Sequence, residues 1–202
     1  MKRRHFVGFT LGACLAFLSG QPALAQQLSL SELSGYLNQL RTATGGFTQI
    51  NSDGTLSTGQ IYIKRPGRIR FEYNPPDNSL MIAGGGQLAI FDPRSNTGPE
   101  QYPLNQTPLK IILEDRVDFT ATRMVTGHSS DGTSTTVTAQ DPDNPQYGNI
   151  KLVFTANPIE LRQWIVTDDT GTQTTVILND LTTGGSIGDI KFNIISEINK
   201  RE

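Results

Sequence analysis

The chain has 202 residues, a formal net charge of −2, 36% hydrophobic residues and a single cysteine. That length supports one domain with a core of its own. The slightly acidic balance excludes the basic footprint of a nucleic-acid binder and gives no attraction to anionic lipid, and one cysteine excludes an intrachain disulfide.

Residues 1–25 read as a targeting segment. Lys2, Arg3 and Arg4 form a positive start, 6–18 is a mostly apolar run, and Ala23-Leu24-Ala25 is a small-residue cleavage site. The run is short of the roughly 20 residues that a transmembrane helix needs. Arg3-Arg4-His5-Phe6-Val7 also resembles a twin-arginine signal, so ordinary secretion and twin-arginine export both stay open. Cys14 follows Leu11-Gly12-Ala13 and offers an alternative, a module lipidated at Cys14 and anchored in the outer membrane. The leading expectation is cleavage after Ala25 and release of residues 26–202 into a periplasm as a single domain. Lys2, Arg3, Arg4 and the only cysteine leave with the leader, whereas all 19 acidic residues stay, so the mature chain is more acidic than the whole.

Ser29 with Glu32 three residues on is a capping box that opens a helix near Leu30. Leu30, Leu33, Leu37 and Leu40 share one face of it, and Gly45-Gly46 read as its stop. From 47 onward the pattern is short strands and tight turns, with breaks at Ser52-Asp53-Gly54, Gly84-Gly85-Gly86, Ser130-Asp131-Gly132, 141–148, Asn157-Pro158 and Asp169-Thr170-Gly171. Met124, Val137, Leu152, Phe154, Trp164, Val166, Val176 and Leu178 are placed on strands of the second half. Thr107-Pro108-Leu109 to Leu113 interrupts them with a predicted short helix, Thr107 as its N-cap and proline at its first position. About ten short strands with two amphipathic helices predict a mainly β, antiparallel sheet, sandwich or barrel.

The hairpin 60–73, QIYIKRPGRIRFEY, carries the sharpest inference. A two-residue loop would set Ile63 against Arg70 and Ile61 against Glu72. A three-residue loop, Pro66-Gly67-Arg68, pairs Arg65 with Ile69, Ile63 with Phe71 and Ile61 with Tyr73, keeping the apolar set on one face. It also puts Arg65 on that face, Arg68 in the loop and Arg70 on the opposite face. Arg65 then either snorkels to water from the rim or reaches with its five donors to partners over the mouth of a cavity.

Chemistry-bearing constellations are missing from the sequence. Beyond the leader there is one histidine, His128, read as a solvated loop residue beside Ser129-Ser130-Asp131-Gly132, a poor place for a Ser/His/Asp site. One histidine and no cysteine do not make a zinc or copper site, and the loop acids Asp141, Asp143, Asp168 and Asp169 lack the spacing of a calcium loop. The triple glycine opens no helix, so it is no phosphate loop. The expectation is a protein that is not an enzyme and has no cofactor or metal.

Several segments, in order and spacing, resemble the periplasmic outer-membrane lipoprotein carrier family, LolA. They are Phe47-Thr48-Gln49, then 59–73 with Lys64-Arg65-Pro66, Leu88-Ala89-Ile90-Phe91-Asp92-Pro93, Gln101-Tyr102-Pro103-Leu104 through Thr107-Pro108-Leu109, Gln163-Trp164-Ile165-Val166, and the D-x-x-G-x-x-T run 168–174. The tyrosine-proline-leucine to threonine-proline-leucine run resembles the alphaproteobacterial branch. Two features depart from the family pattern, the triple glycine and the C-terminal 190–202, which lacks a proline-glycine ending.

The resemblance implies an incomplete antiparallel β-barrel of about ten to eleven strands, covered by a helical lid and enclosing a hydrophobic cavity. Arg65 matches the family arginine that latches the lid. The implied acyl-chain cavity comprises Leu33, Leu37, Ile61, Ile63, Ile69, Phe71, Tyr73, Leu109, Ile112, Leu113 and Trp164. The implied partners are outer-membrane lipoproteins, an inner-membrane ABC transporter of the LolCDE type and a LolB-like outer-membrane receptor, with the carrier itself a monomer. A carrier of other lipids is a further alternative.

Overall fold

A computed structural model describes residues 27–121 and 123–201; the leader, Cys14 and the cleavage site lie outside the described residues. Helix α1 (Leu30–Gln39) leads into strands β1 (Thr42–Ile50), β2 (Leu56–Lys64), β3 (Arg68–Tyr73), β4 (Leu80–Gly84), β5 (Gln87–Phe91) and β6 (Glu100–Pro103). A 3₁₀ turn (Leu104–Gln106) and the short helix α2 (Lys110–Leu113) follow. The second half is β7 (Val125–Ser130), β8 (Ser134–Gln140), β9 (Asn149–Thr155), β10 (Glu160–Thr167) and β11 (Gln173–Thr183), then a 3₁₀ turn (Asp189–Phe192) and α3 (Ile194–Asn199).

All eleven strands form one antiparallel sheet in the order β6-β5-β4-β3-β2-β1-β11-β10-β9-β8-β7. β6 and β7 are its edges, so the sheet is not closed. It is strongly curled nonetheless. β3 and β10 lie four strand steps apart, about 19 Å on a flat sheet, yet the Phe71 and Trp164 rings meet edge-on at 6.2 Å between centroids. The concave side holds the main core, with α1 and α2 packed into it. The fold is the open, mainly β barrel with helices that the segments implied.

Each element has a local cause. The capping box is formed: Ser29 N–H donates to Glu32 Oε2 at 2.8 Å, and Glu32 N–H donates to Ser29 Oγ at 3.3 Å. Leu33 and Leu37 face the core. The helix stops at Gln39, however, and Gly45-Gly46 are not its stop but lie within β1. There the pairing with β11 shifts register, and a Cβ on Gly45 would stand 2.8 Å from the Asn179 carbonyl oxygen. The glycines serve a bulge.

Four further expectations are corrected. Thr107 is not an N-cap; its hydroxyl donates to the Leu104 carbonyl at 2.8 Å, and α2 starts at Lys110 without a side-chain cap. Met124 precedes β7, and His128 sits on β7 opposite Val137, its Nε2 2.8 Å from the Leu28 carbonyl oxygen. The hairpin pairs Ile63 with Ile69, Ile61 with Phe71, Gly59 with Tyr73 and Lys64 with Arg68. Its loop is Arg65-Pro66-Gly67, two positions away in register from the predicted pairing. The reason is Gly67, whose φ of +71° belongs at the last position of a three-residue loop, so Arg68 begins the next strand. A shift by two preserves the faces, and the apolar set remains inward.

The C-terminal segment covers the opposite, convex side of the sheet. Ile187, Phe192 and Ile194 form a second core with Leu80, Ile82, Ala89 and Phe91 of β4 and β5. Gly84 permits the contact, since a Cβ there would lie 2.1 Å from the Phe192 carbonyl oxygen. Ion pairs fix the segment: Asp189 with Lys64 and Arg68, each at 2.6 Å, and Glu197 with Arg70 at 3.3 Å. Arg68 is thus a strand residue with an anchoring role.

Candidate functional site

The residues proposed for the cavity come together. Leu33, Leu37, Ile61, Ile63, Ile69, Phe71, Leu109, Ile112, Leu113 and Trp164 are all buried in one cluster on the concave side, and half-buried Tyr73 packs against it. Phe47 stands edge-on to both Phe71 and Tyr73 at 5.1 Å, so the floor is a ring of aromatic side chains. With α1 and α2 seated in the curl, much of the concavity is filled. What stays open is a cavity of about 460 Å³ toward one end, lined by Phe71, Tyr73, Met81, Leu109, Trp164 and Val176 among others, a volume ordinary for small-ligand sites.

Sequence parity did not single out Met81 and Val176. Met81 belongs to LMIAG, apolar at successive positions because the concave core takes one face of β4 and the C-terminal segment the other. Alternation therefore cannot tell inward from outward. Val176 was placed on a strand, and its inward direction shows only from its pairing with Gln49 and Trp164.

Arg65 joins the lid to the sheet and is 4% exposed. Its turn is pinned first by backbone: Arg65 N–H donates to the Arg41 carbonyl and Gly67 N–H to the Leu113 carbonyl, both at 2.8 Å. The guanidinium then donates through Nη1 to the carbonyls of Leu37 and Leu40 (3.4 Å), and through Nε (3.1 Å) and Nη2 to that of Glu114. These carbonyls lie at the ends of α1 and α2, where helices leave oxygens without internal partners and where the helix dipole favours a cation. Burial, reinforced by nearby Arg41 and opposed by Asp115 and Glu114, pulls the Arg65 pKa down to about 10. It stays charged at neutral pH, and its hydrogen-bond partners among the described residues are carbonyl oxygens, not carboxylates.

The lid is itself stapled. Asn38 Nδ2 donates to the Val117 carbonyl while Val117 N–H donates to Asn38 Oδ1, both at 2.8 Å. The Ser34 hydroxyl donates to the Leu30 carbonyl at 2.7 Å and accepts from Phe119 N–H at 2.9 Å. Arg41 meets the Asp115 carboxylate at 2.8 Å. Helix α1 and the strand-free stretch 114–120 thus hold each other. Among the described residues no cluster of His, Cys, Asp and Glu could bind a metal.

A curled, unclosed sheet whose apolar concavity is filled by latched helices defines the class of open-barrel proteins with a helical lid. The family model described as "Outer membrane lipoprotein carrier protein LolA" matches residues 38–195, and the chain belongs to that family, one of carriers and not of enzymes. The outer-membrane lipoprotein carrier protein of Pseudomonas aeruginosa (strain UCBPP-PA14) is 25% identical over 179 residues, covering 85% of this chain and 82% of that protein. Its counterpart in Coxiella burnetii (strain RSA 331) is 36% identical over 101 residues, 48% of this chain and 47% of that one. Among solved structures, a LolA superfamily protein from Nitrosomonas europaea aligns with a TM-score of 0.44 at 13% identity, over 82% of this chain and 98% of that chain.

Proposed function

We propose that this protein ferries lipoproteins across the periplasm, shielding their acyl chains in the concave cavity. It accepts them from an inner-membrane ABC transporter of the LolCDE type and delivers them to a LolB-like outer-membrane receptor, acting as a monomer. Residues 1–25 are the export signal, and residues 26–202 are the carrier domain. Family membership supports the cargo class. No helix among the described residues is long and apolar enough to cross a membrane, which fits a carrier in an aqueous compartment.

The observation that carries this reading is the Arg65 latch over an apolar interior. An exposed methylene costs roughly 0.8 kcal/mol, so an acyl chain needs a covered path through water. Delivery needs a hold that can be undone. In this reading a closed state with its own hydrogen bonds competes with cargo, which limits how tightly the chains are kept. Depleting the protein in its host is expected to strand outer-membrane lipoproteins at the inner membrane. Unchanged sorting, or co-purification of free lipid without lipoprotein, would overturn the cargo assignment. A mature N-terminus at unlipidated Gln26 supports the carrier, and a diacylated Cys14 supports the anchored alternative.

A further inference from the structure

The cavity has a polar side as well as apolar ones. Gln49 shares the inward parity of Phe47, and Tyr73 that of Phe71, positions where an apolar residue would be expected. Tyr73 lies opposite Gly59 on β2, and Gly59 opposite Phe47 on β1. With no side chain on Gly59 the Tyr73 ring reaches across to Phe47; a Cβ there would stand 2.6 Å from the Phe47 ring and 2.1 Å from the Glu72 carbonyl oxygen. The Tyr73 hydroxyl thereby donates to Gln49 Oε1 at 2.7 Å.

Behind this pair runs a continuous chain of hydrogen bonds. Gln49 Nε2 donates to Asn51 Oδ1 at 2.6 Å, Asn51 Nδ2 donates to Ser57 Oγ at 3.3 Å, and Ser57 Oγ donates to the Asp77 carboxylate at 3.0 Å. Burial, together with Asp77, pushes the Tyr73 hydroxyl well above its usual range, so it stays protonated. A tyrosine hydroxyl that donates one bond keeps an acceptor lone pair, and a glutamine amide that donates one bond keeps a second N–H. One acceptor and one donor thus stand together on the cavity wall, which also carries the aromatic and aliphatic Phe71, Met81, Leu109 and Trp164 and the polar Asp77, Ser79, Asp92 and Arg94. Hydrocarbon has no use for them. A carbonyl linkage has, because it brings an acceptor and, in an amide, a donor beside it.

We propose that Tyr73 and Gln49 form a seat for the carbonyl linkage through which an acyl chain is attached to its carrier molecule, so that the cavity selects acyl over alkyl ligands. This rests on the carrier reading. In the seat, Gln49 Nε2 donates to the linkage carbonyl oxygen; an amide-linked chain also donates its N–H to Tyr73 Oη. An ester makes the first bond only, and an ether makes neither.

The test uses synthetic lipopeptides of one peptide and one chain length, joined through amide, ester or ether. The wild-type protein is expected to bind ester about fivefold more tightly than ether, and amide more tightly than ester. Gln49→Leu should erase the ester-over-ether step, and Tyr73→Phe, which keeps the ring and its packing, should shrink the amide-over-ester step. Equal binding of all three by the wild type, or an amide-over-ester ratio in Tyr73→Phe as large as the wild type's with the fold retained by circular dichroism, would overturn the seat but leave the carrier reading standing. Failure of the wild type to bind any of them would overturn both.

Discussion

The two faces of the sheet are each covered by helical segments, and the principal fastening of each cover differs. On the concave side one buried guanidinium bonds to neutral carbonyls at the ends of α1 and α2. On the convex side the 3₁₀ turn and α3 are held by charge pairs: Asp189 with Lys64 and Arg68, Glu197 with Arg70 and Arg201, and Lys191 over the Tyr62 ring at 3.9 Å. A cation bonded to carbonyls has no counter-charge to be screened or titrated, so the Arg65 latch itself is little affected by salt or mild acid, although the Arg41–Asp115 and Lys110–Asp141 pairs on the same side respond to both. The outer cover responds to both. The one buried cation among these fastenings that bonds carbonyls alone thus sits on the cover proposed to move.

The sharpest way to break this contrast is Arg65→Leu. Hydrogen bonds from a charged donor contribute about 1.5–3 kcal/mol each, and their loss leaves helix-end carbonyls without partners. The lid should lose amide protection over α1, acyl ligands should be held more tightly, and transfer to a receptor should fall at least about tenfold while loading survives. Arg70→Leu is the matched control, since Arg70 faces the convex side. It should loosen 189–199 in hydrogen exchange and leave transfer unchanged; the reverse pattern would refute the assignment of the faces.

A smaller effect is expected for Gly84→Ala. The new methyl would meet backbone at 2.1 Å and not a side chain that could swing away, so the C-terminal segment must shift. The expected loss is about 1–3 kcal/mol, read as a melting temperature lower by roughly 2–4 °C per kcal/mol. The lid, on the other face, should keep its amide protection.

The smallest effect concerns acid. Burial raises the Glu197 carboxyl, but Arg70 and Arg201 together outweigh it and hold the pKa below the ordinary 4.5. A folded-state value below the unfolded one contributes stability that is full above pH 4.5 and lost as pH falls through the lowered value. Amide resonances of Ile194–Asn199 should therefore move as pH falls below 4.5, while those of Leu37 and Leu40 beside the Arg65 bonds stay. Simultaneous loss of both would mean the two covers are one cooperative unit.

How much of this was legible depended on whether one face or two were buried. In β2 and β3 only one face meets apolar core for most of its length, so alternation placed Ile61, Ile63, Ile69 and Phe71 correctly even though the register was off by two. In β4 both faces are buried, and the inward turn of Met81 was invisible. Gly45-Gly46 looked like a helix stop because a bulge and a stop call for the same residue; only the approach of Asn179 on distant β11 tells them apart. The C-terminal cover was unreadable for a different reason. Its helix spans six residues, too few to show a period, and Ile187, Phe192 and Ile194 acquire meaning only against the outer side of β4 and β5.

The seam between β6 and β7 has a mechanical meaning. In a closed barrel, strand number and shear fix the radius, and enlarging the interior requires breaking a ladder. Here the two edge strands are not bonded to each other, and in chain order a 3₁₀ turn and α2 separate them. The curvature of the sheet is therefore an adjustable quantity. The same eleven strands can close tightly around two helices or relax around something bulkier without breaking a strand ladder.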